Sequence, residues 1–309
     1  MSNASIHLGP NQYGKAENRV VRIVRDTARH QIRDLNVSTS LRGRFDDAHI
    51  SGDQQDVLPT DTQKNTVFAY AKKVGVASIE EFALVLADRY LEACPAADGA
   101  RIEVDEYAWE RIEVDGGGHD HSFVRSGGGV RTTVVNVDGR GADRVTQVVS
   151  GIKDLVVLKS TGSEFHGFLK DEYTTLQETT DRILATSLVA RWRYDALPIS
   201  KGEVDWDKSY DSIRALLLQR FAEIHSLALQ QTLNGMGTSV MEEHDDVAEI
   251  KFSAPNKHHF LSDLSPFGLD NPGEVFHAAD RPYGLIEASV VRDGATAAGN
   301  AWHAIPGFC

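Results

Sequence analysis

Along residues 35–45, apolar and polar side chains alternate. Leu35, Val37, Thr39, Leu41 and Phe45 fall on one face, and Asn36, Ser38, Ser40, Arg42 and Arg44 on the other. A period of two marks a half-buried antiparallel strand. Residues 19–26, RVVRIVRD, also read as a strand, and the short link through Arg29-His30-Gln31 predicts a hairpin. Residues 1–13 read as a loose arm and 46–58 as a loop. The period then lengthens. After Pro59, Val67, Tyr70, Ala71 and Val74 share one side of a helix, with Thr60 and Asp61 as N-cap types and Gly75 at its end. Ser78, followed three residues on by Glu81, opens a second helix. Its stripe is Ile79, Phe82, Ala83, Leu86 and Tyr90, and Pro95 and Gly99 are expected to stop it. Residues 101–114 read as one long strand, and 121–137 as another with a glycine break at 127–129.

The second half repeats that order. Strands are expected over 144–160 and 183–194, joined by a long, polar, aromatic-bearing connection at 161–182. A helical region at 206–233 presents Ile213, Leu216, Leu217, Ile224, Leu227 and Ala228, and is long enough for two helices. Strands follow at 247–253 and 284–292. The halves share element order without clear residue-level identity. The pattern predicts an α+β chain with antiparallel sheets and helices on one face. Its parts are 12–139, 140–293 and a Gly/Ala-rich tail, 294–309, mobile or packed against a neighbour. Such sheets expose their edges unless they close, and oligomerisation is one way to close them.

Composition narrows the function. The chain has 309 residues, 41% hydrophobic and 25% charged, which suits a globular protein that needs no disulfides. Its net charge of −13 argues against sequence-independent nucleic-acid binding, yet leaves room for a local basic pocket. The two cysteines, Cys94 and Cys309, point to a reducing compartment. No 18-residue apolar run predicts a membrane span, and the first residues lack an apolar signal core. The ending AIPGFC is not a peroxisomal tripeptide, so a cytoplasmic location is expected.

The common nucleotide, metalloprotease and serine-hydrolase motifs are absent from the sequence. His119 and His121 in DGGGHDH read as part of a solvated hairpin turn rather than a metal site. His258 and His259, if on a strand, point to opposite faces and cannot share a metal. The 161–182 connection stands out, because irregular loops this long are uncommon unless functional.

Four motifs occur in order: YGK at 13–15, LPTDTQKNTVFAYAK at 58–72, LKSTGSEFHGFLKDEYTTLQETTDRIL at 158–184, and SAPNKHHF at 253–260. Together they resemble the urate oxidase (uricase) family over roughly residues 12–293. The resemblance implies two tandem T-fold domains, each ββααββ, in a homotetramer whose paired subunits close their sheets into a barrel. It implies oxidation of urate by O₂ and water to 5-hydroxyisourate and hydrogen peroxide, with no metal and no organic cofactor. Lys15 then matches the catalytic lysine, Thr60 the proton-relaying threonine, and Asp61 the residue beside it. Phe165 matches the aromatic that stacks on the purine and Arg182 the arginine that grips it. Gln219, after Leu218, matches the glutamine that pairs with the opposite edge. Asn256 matches the asparagine of the O₂/water site, shared with Thr60, and His258 the histidine that supports the lysine. In this pattern Lys15 and Thr60 come from one subunit and the purine-gripping residues from its neighbour.

The residue types suit that chemistry. A guanidinium fork matches adjacent acceptors and a negative charge, a glutamine amide reads a mixed edge, and a phenylalanine supplies a stacking face. Taken singly, each has a plainer reading: Lys15 as surface charge, Thr60-Asp61 as a helix cap, Arg182 paired with Glu178. Other T-fold enzymes take pterins or purines through a ring-anchoring Glu, some with zinc, and two cysteines suit the zinc version poorly. A non-catalytic relative would be expected to have lost Lys15, Thr60 or His258, and all three are present.

Overall fold

The computed structural model describes residues 6–195 and 204–306. Two strands open the first half, β1 (Tyr13–Val24) and β2 (Gln31–Gly43), paired antiparallel from Tyr13↔Leu41 to Val24↔Gln31. The predicted hairpin is therefore present, but β1 starts at Tyr13, well before residue 19. Its register shifts between Lys15 and Asn18, and this bulge hides the strand's alternation. Leu35, Val37, Thr39 and Leu41 are fully buried. Phe45 is buried just past the strand, edge-on to Tyr13. The expected loop at 46–58 holds a short helix, α1 (Asp46–Ile50).

Helix α2 (Thr60–Lys73) takes Pro59 as its N-cap, without a side-chain cap bond. Thr60 is thus the first helical residue and not the cap, which corrects the reading of Thr60 and Asp61 as cap residues. Its buried stripe is Gln63, Val67 and Ala71, while Tyr70 is half-buried and Val74 exposed. Gly75, at φ +84°, takes the left-handed turn that ends it. Helix α3 (Ile79–Ala93) starts as its capping box requires, with Glu81 N–H donating to Ser78 Oγ at 3.1 Å. All five residues of its predicted stripe are buried.

Strand β3 (Ala97–Glu106) contains Gly99, so Gly99 does not stop α3. The single strand expected over 101–114 is two: after Glu106 the chain leaves β3 for β4 (Trp109–Val114). It turns through Asp115 and Gly116, both at positive φ, into β5 (Gly117–Arg125). Past the predicted glycine break, β6 (Val130–Asp138) pairs with β3.

The second half follows with β7 (Val145–Lys159), β8 (Leu184–Tyr194), α4 (Trp206–Glu223) and α5 (Leu229–Glu243). The helical region is therefore two helices and runs past Leu233. Then come β9 (Val247–Pro255), the ribbon β10 (His258–Leu261) with β11 (Phe276–Ala279), and β12 (Leu285–Val291). Both halves read ββααββ, each with a two-stranded ribbon inserted before its last strand.

The chain forms two compact units. The first comprises 1–151, 193–208 and 296–309, with strand order β1-β2-β3-β6 and the start of β7. The second comprises 152–192 and 209–295, with β9 between β8 and β12. In the first, α2 packs on β1 and α3 on β3 and β6; in the second, α5 packs on β9 and β12. The described end of the chain packs on the first unit's own strands. Ala301 is buried against Val134 and Val149, and Asn136 Nδ2 donates to Asn300 O at 3.0 Å. Cys309 and residues 1–5 of the predicted arm lie outside the described residues; Cys94 is a free, buried thiol. Among the described residues no helix is long and apolar enough to cross a membrane.

Candidate active site

Lys15 sits at the edge of the β1 bulge, the last residue paired before the register shifts. Glu17 beside it has φ +58°, and Asn18 Nδ2 donates to Lys15 O at 3.1 Å and Val37 O at 2.8 Å. These side-chain bonds replace ladder bonds that the bulge breaks. Across from it, Thr60 and Asp61 occupy the first turn of α2, where an acidic side chain complements the helix dipole. Asp61 is paired with Lys64 at 2.5 Å and accepts from Asn65 Nδ2 at 3.0 Å. Lys64, by hydrogen bond and charge, holds the Asp61 carboxyl below the usual range, and Lys15 adds to the shift. Lys15 therefore lies within electrostatic reach of the α2 start.

In the second unit the 161–182 connection is irregular, as its sequence predicts, but it is tied down. Glu164 N–H donates to Ser226 O at 2.7 Å, Ser226 N–H to Gly162 O at 2.9 Å, and Lys159 Nζ to Ile224 O at 2.6 Å. Phe165 and Thr179 exchange backbone bonds of 2.8 and 3.0 Å. Arg182 N–H donates to Ser163 O at 2.9 Å. The result sets the Arg182 guanidinium 5.1 Å from the Phe165 ring centroid, with Phe168 stacked on Phe165 at 5.0 Å and 15°. Arg182 is half-buried, and burial lowers its pKa; guanidinium stays charged regardless. Glu178, the alternative partner for Arg182, instead pairs with Lys170 at 2.9 Å.

Asn256 bridges Thr186 at the start of β8, and Lys257 N–H donates to Ala185 O at 2.8 Å. Arg182 leads directly into that strand. His258 lies on β10 with its ring against Phe260, and His259 turns to Lys257 O. Leu218 is half-buried on α4. Gln219 is exposed and donates to Glu223 Oε1 at 2.9 Å; among the described residues no hydrogen bond joins it to Phe165 or Arg182. His119 and His121 lie on β5 with rings 4.5 Å apart, and no group of three metal-ligating side chains forms among the described residues.

The candidates thus fall into two groups: Lys15, Thr60 and Asp61 in the first unit, and Phe165, Arg182, Leu218, Gln219, Asn256 and His258 in the second. Sequence reasoning overlooked two features. One is the buried pair Thr39 and Gln63, joined at 2.9 Å. The other is Glu164, whose carboxylate contacts His225 at 2.5 Å and His166 at 2.9 Å. Polar residues on otherwise apolar faces were the available signal for the first.

The repeated ββααββ order, with a two-stranded ribbon inserted in each half, defines a tandem T-fold protein. A family model described as Uricase matches residues 11–136 and 148–287. Uricase of Arthrobacter globiformis is 54% identical over 308 residues, covering 100% of this chain and 97% of the relative. Uricase of Cyberlindnera jadinii is 36% identical over 301 residues, covering 93% and 98%. The crystal structure of the Arthrobacter globiformis uricase superposes with a TM-score of 0.87 at 55% identity, covering 95% of this chain and 98% of that one. The chain belongs to the uricase family, whose members are urate oxidases.

Proposed function

We propose that the chain oxidises urate with O₂ and water to 5-hydroxyisourate and hydrogen peroxide, in a site that two copies of the chain complete. The observation that carries this is Arg182 held over Phe165 by a connection with no other evident task. Urate is flat, anionic and edged with acceptors. Phe165 offers it a stacking face and Arg182 a charged fork. Gln219, beside Leu218, reads the far edge.

Urate is electron-rich, so the reading needs no electron-carrying cofactor. What it needs is removal of a second proton, so that the dianion passes an electron to O₂. Thr60 relays that proton to Lys15, and His258 supports the lysine. Asn256 and Thr60 hold O₂ and then the water that hydrates the oxidised ring. Lys15, Thr60 and Asp61 come from one subunit and the second group from its neighbour, within a homotetramer whose paired sheets close a barrel. The tandem boundaries at 12–139 and 140–293 follow the ββααββ repeat. A cytoplasmic location rests on the low cysteine usage and the free Cys94.

The test is urate absorbance near its ultraviolet maximum, with O₂ uptake and peroxide release followed in parallel on metal-stripped protein. Loss of urate matched by both is expected. Urate bound without turnover, or turnover only after metal is added, would overturn the reading.

A further inference from the structure

We propose that Thr39 and Gln63 are positioning residues for Lys15: a buried polar chain that fixes the β1 bulge against the start of α2. The inference rests on the reading of Lys15 as the proton acceptor. Both side chains are 0% exposed. Thr39 Oγ1 donates to Gln63 Oε1 at 2.9 Å, which spends its one proton and turns its lone pairs toward Lys15 N–H, 3.4 Å away. Gln63 Nε2 donates to Leu58 O at 3.3 Å, just before Pro59 and Thr60. Tyr90 on α3 donates its hydroxyl to Gln63 O at 2.7 Å. One continuous path therefore runs from the residues preceding Thr60, through two side chains, to the main chain of Lys15.

The strand does not need this path for pairing alone. Lys15 is still paired with Thr39, but between it and Asn18 the register shifts, and side chains take over the bonds lost there. Asn18 caps Lys15 O, and Glu17 N–H donates to Ser38 Oγ at 2.9 Å. Gly14 permits the close approach: a Cβ there would lie 1.8 Å from Thr39 O. A bulge re-aims the side chain it carries. A fully buried polar pair has few arrangements that satisfy its hydrogen bonds, so it selects one. An apolar pair of the same shape would fill the space without choosing where the Lys15 backbone sits.

The test is Thr39→Val, which keeps shape and removes the hydroxyl, with Thr39→Ser as the conservative rescue. A misplacement of about 1 Å costs on the order of 100-fold in rate. A fall of that order in kcat is expected, with KM for urate unchanged, because Lys15 acts on the proton and not on recognition. The pH at which kcat is half-maximal moves in Thr39→Val and returns in Thr39→Ser. Gln63→Met keeps the side-chain volume and gives the same pattern if Thr39→Val folds poorly. Wild-type kcat and pH profile per folded protein in both variants, even with a lowered Tm, would overturn the proposal. Lys15→Met separates the two levels. If it leaves kcat intact, the reading of Lys15 fails; if it abolishes turnover while Thr39→Val and Gln63→Met do not, only the positioning role fails.

Discussion

The two halves of the chain share ββααββ order and differ in what joins their first two strands. In the first half that link is residues 25–30, pinned to the β4–β5 ribbon by Arg29 on Gly118 O at 2.9 Å and His30 N–H on Asp120 O at 2.9 Å. No candidate residue lies there; Lys15 and Thr60 come from a bulge and a helix start. In the second half the link is residues 160–183, anchored to the α4–α5 turn, and it carries Phe165 and Arg182. The scaffold repeats, and the proposed site residues fall where the repeat is broken. A bulge breaks the β1 ladder, and a long connection replaces a tight turn.

This division predicts separable defects. Lys15→Met is expected to lower kcat by about 10²- to 10⁴-fold, the range for losing a positioned base, with KM unchanged. Arg182→Ala is expected to weaken urate binding by about 1.5–3 kcal/mol, the worth of hydrogen bonds to a charged group, roughly 10- to 150-fold in affinity. Steady-state kinetics and urate binding titrations read both. Equal losses of kcat and affinity in each variant would break the separation of a proton-handling half from a recognition half.

Much of this was legible before the structure. The capping box at Ser78 and the stripe below it place α3 closely, because local bonds and one apolar face decide that helix. The strand at 101–114 misleads, since alternation continues through Tyr107 and Ala108 although the chain there leaves β3 for a separate ribbon. Periodicity reports which faces are wet, not which partner a strand finds. The motif residues of the candidate site were readable by resemblance. Thr39 and Gln63 were not, although a threonine among Leu35, Val37 and Leu41, and a glutamine four residues before Val67 on the stripe it shares with Ala71, were in plain view.

The repeat itself is deeper than the sequence suggests. Arg140 donates to Leu91 O, Cys94 O and Ala97 O, and Arg292 to Met241 O, His244 O and Val247 O. Each arginine closes the C-terminus of the last helix in its half, α3 or α5, where carbonyls lack partners and the dipole is negative. The partners are backbone oxygens, which any residue supplies, so the equivalence leaves no trace beyond two arginines. Arg140→Ala and Arg292→Ala are each expected to cost about 1 kcal/mol, read as similar shifts of the denaturant midpoint with unchanged kcat. A large loss from one and none from the other would show that the two caps are not equivalent.

The smallest expected effect sharpens the contrast between the two links. The second-half link is held in part by the Glu164 carboxylate, which takes His225 and His166 and is mostly shielded from solvent. The hydrogen bond from His225, aided by His166, keeps this carboxyl below the usual glutamate range. A carboxyl depressed in the folded state contributes stability above its unfolded pKa and loses it as pH falls through the lower, folded value. The first-half link is held by Arg29 and His30 on main-chain carbonyls, and its carboxylate contact, Arg29 on Asp120 at 3.2 Å, is an exposed ion pair of the kind worth little. Glu164→Gln is therefore expected to lower Tm slightly at pH 6 and to converge on the wild-type value in acid, once pH has fallen through the carboxyl's lowered folded range. Scanning calorimetry of both proteins across that window reads the difference. A gap that stays constant from neutral pH into acid would mean that neutral hydrogen bonds, and not the carboxylate charge, hold the connection in place.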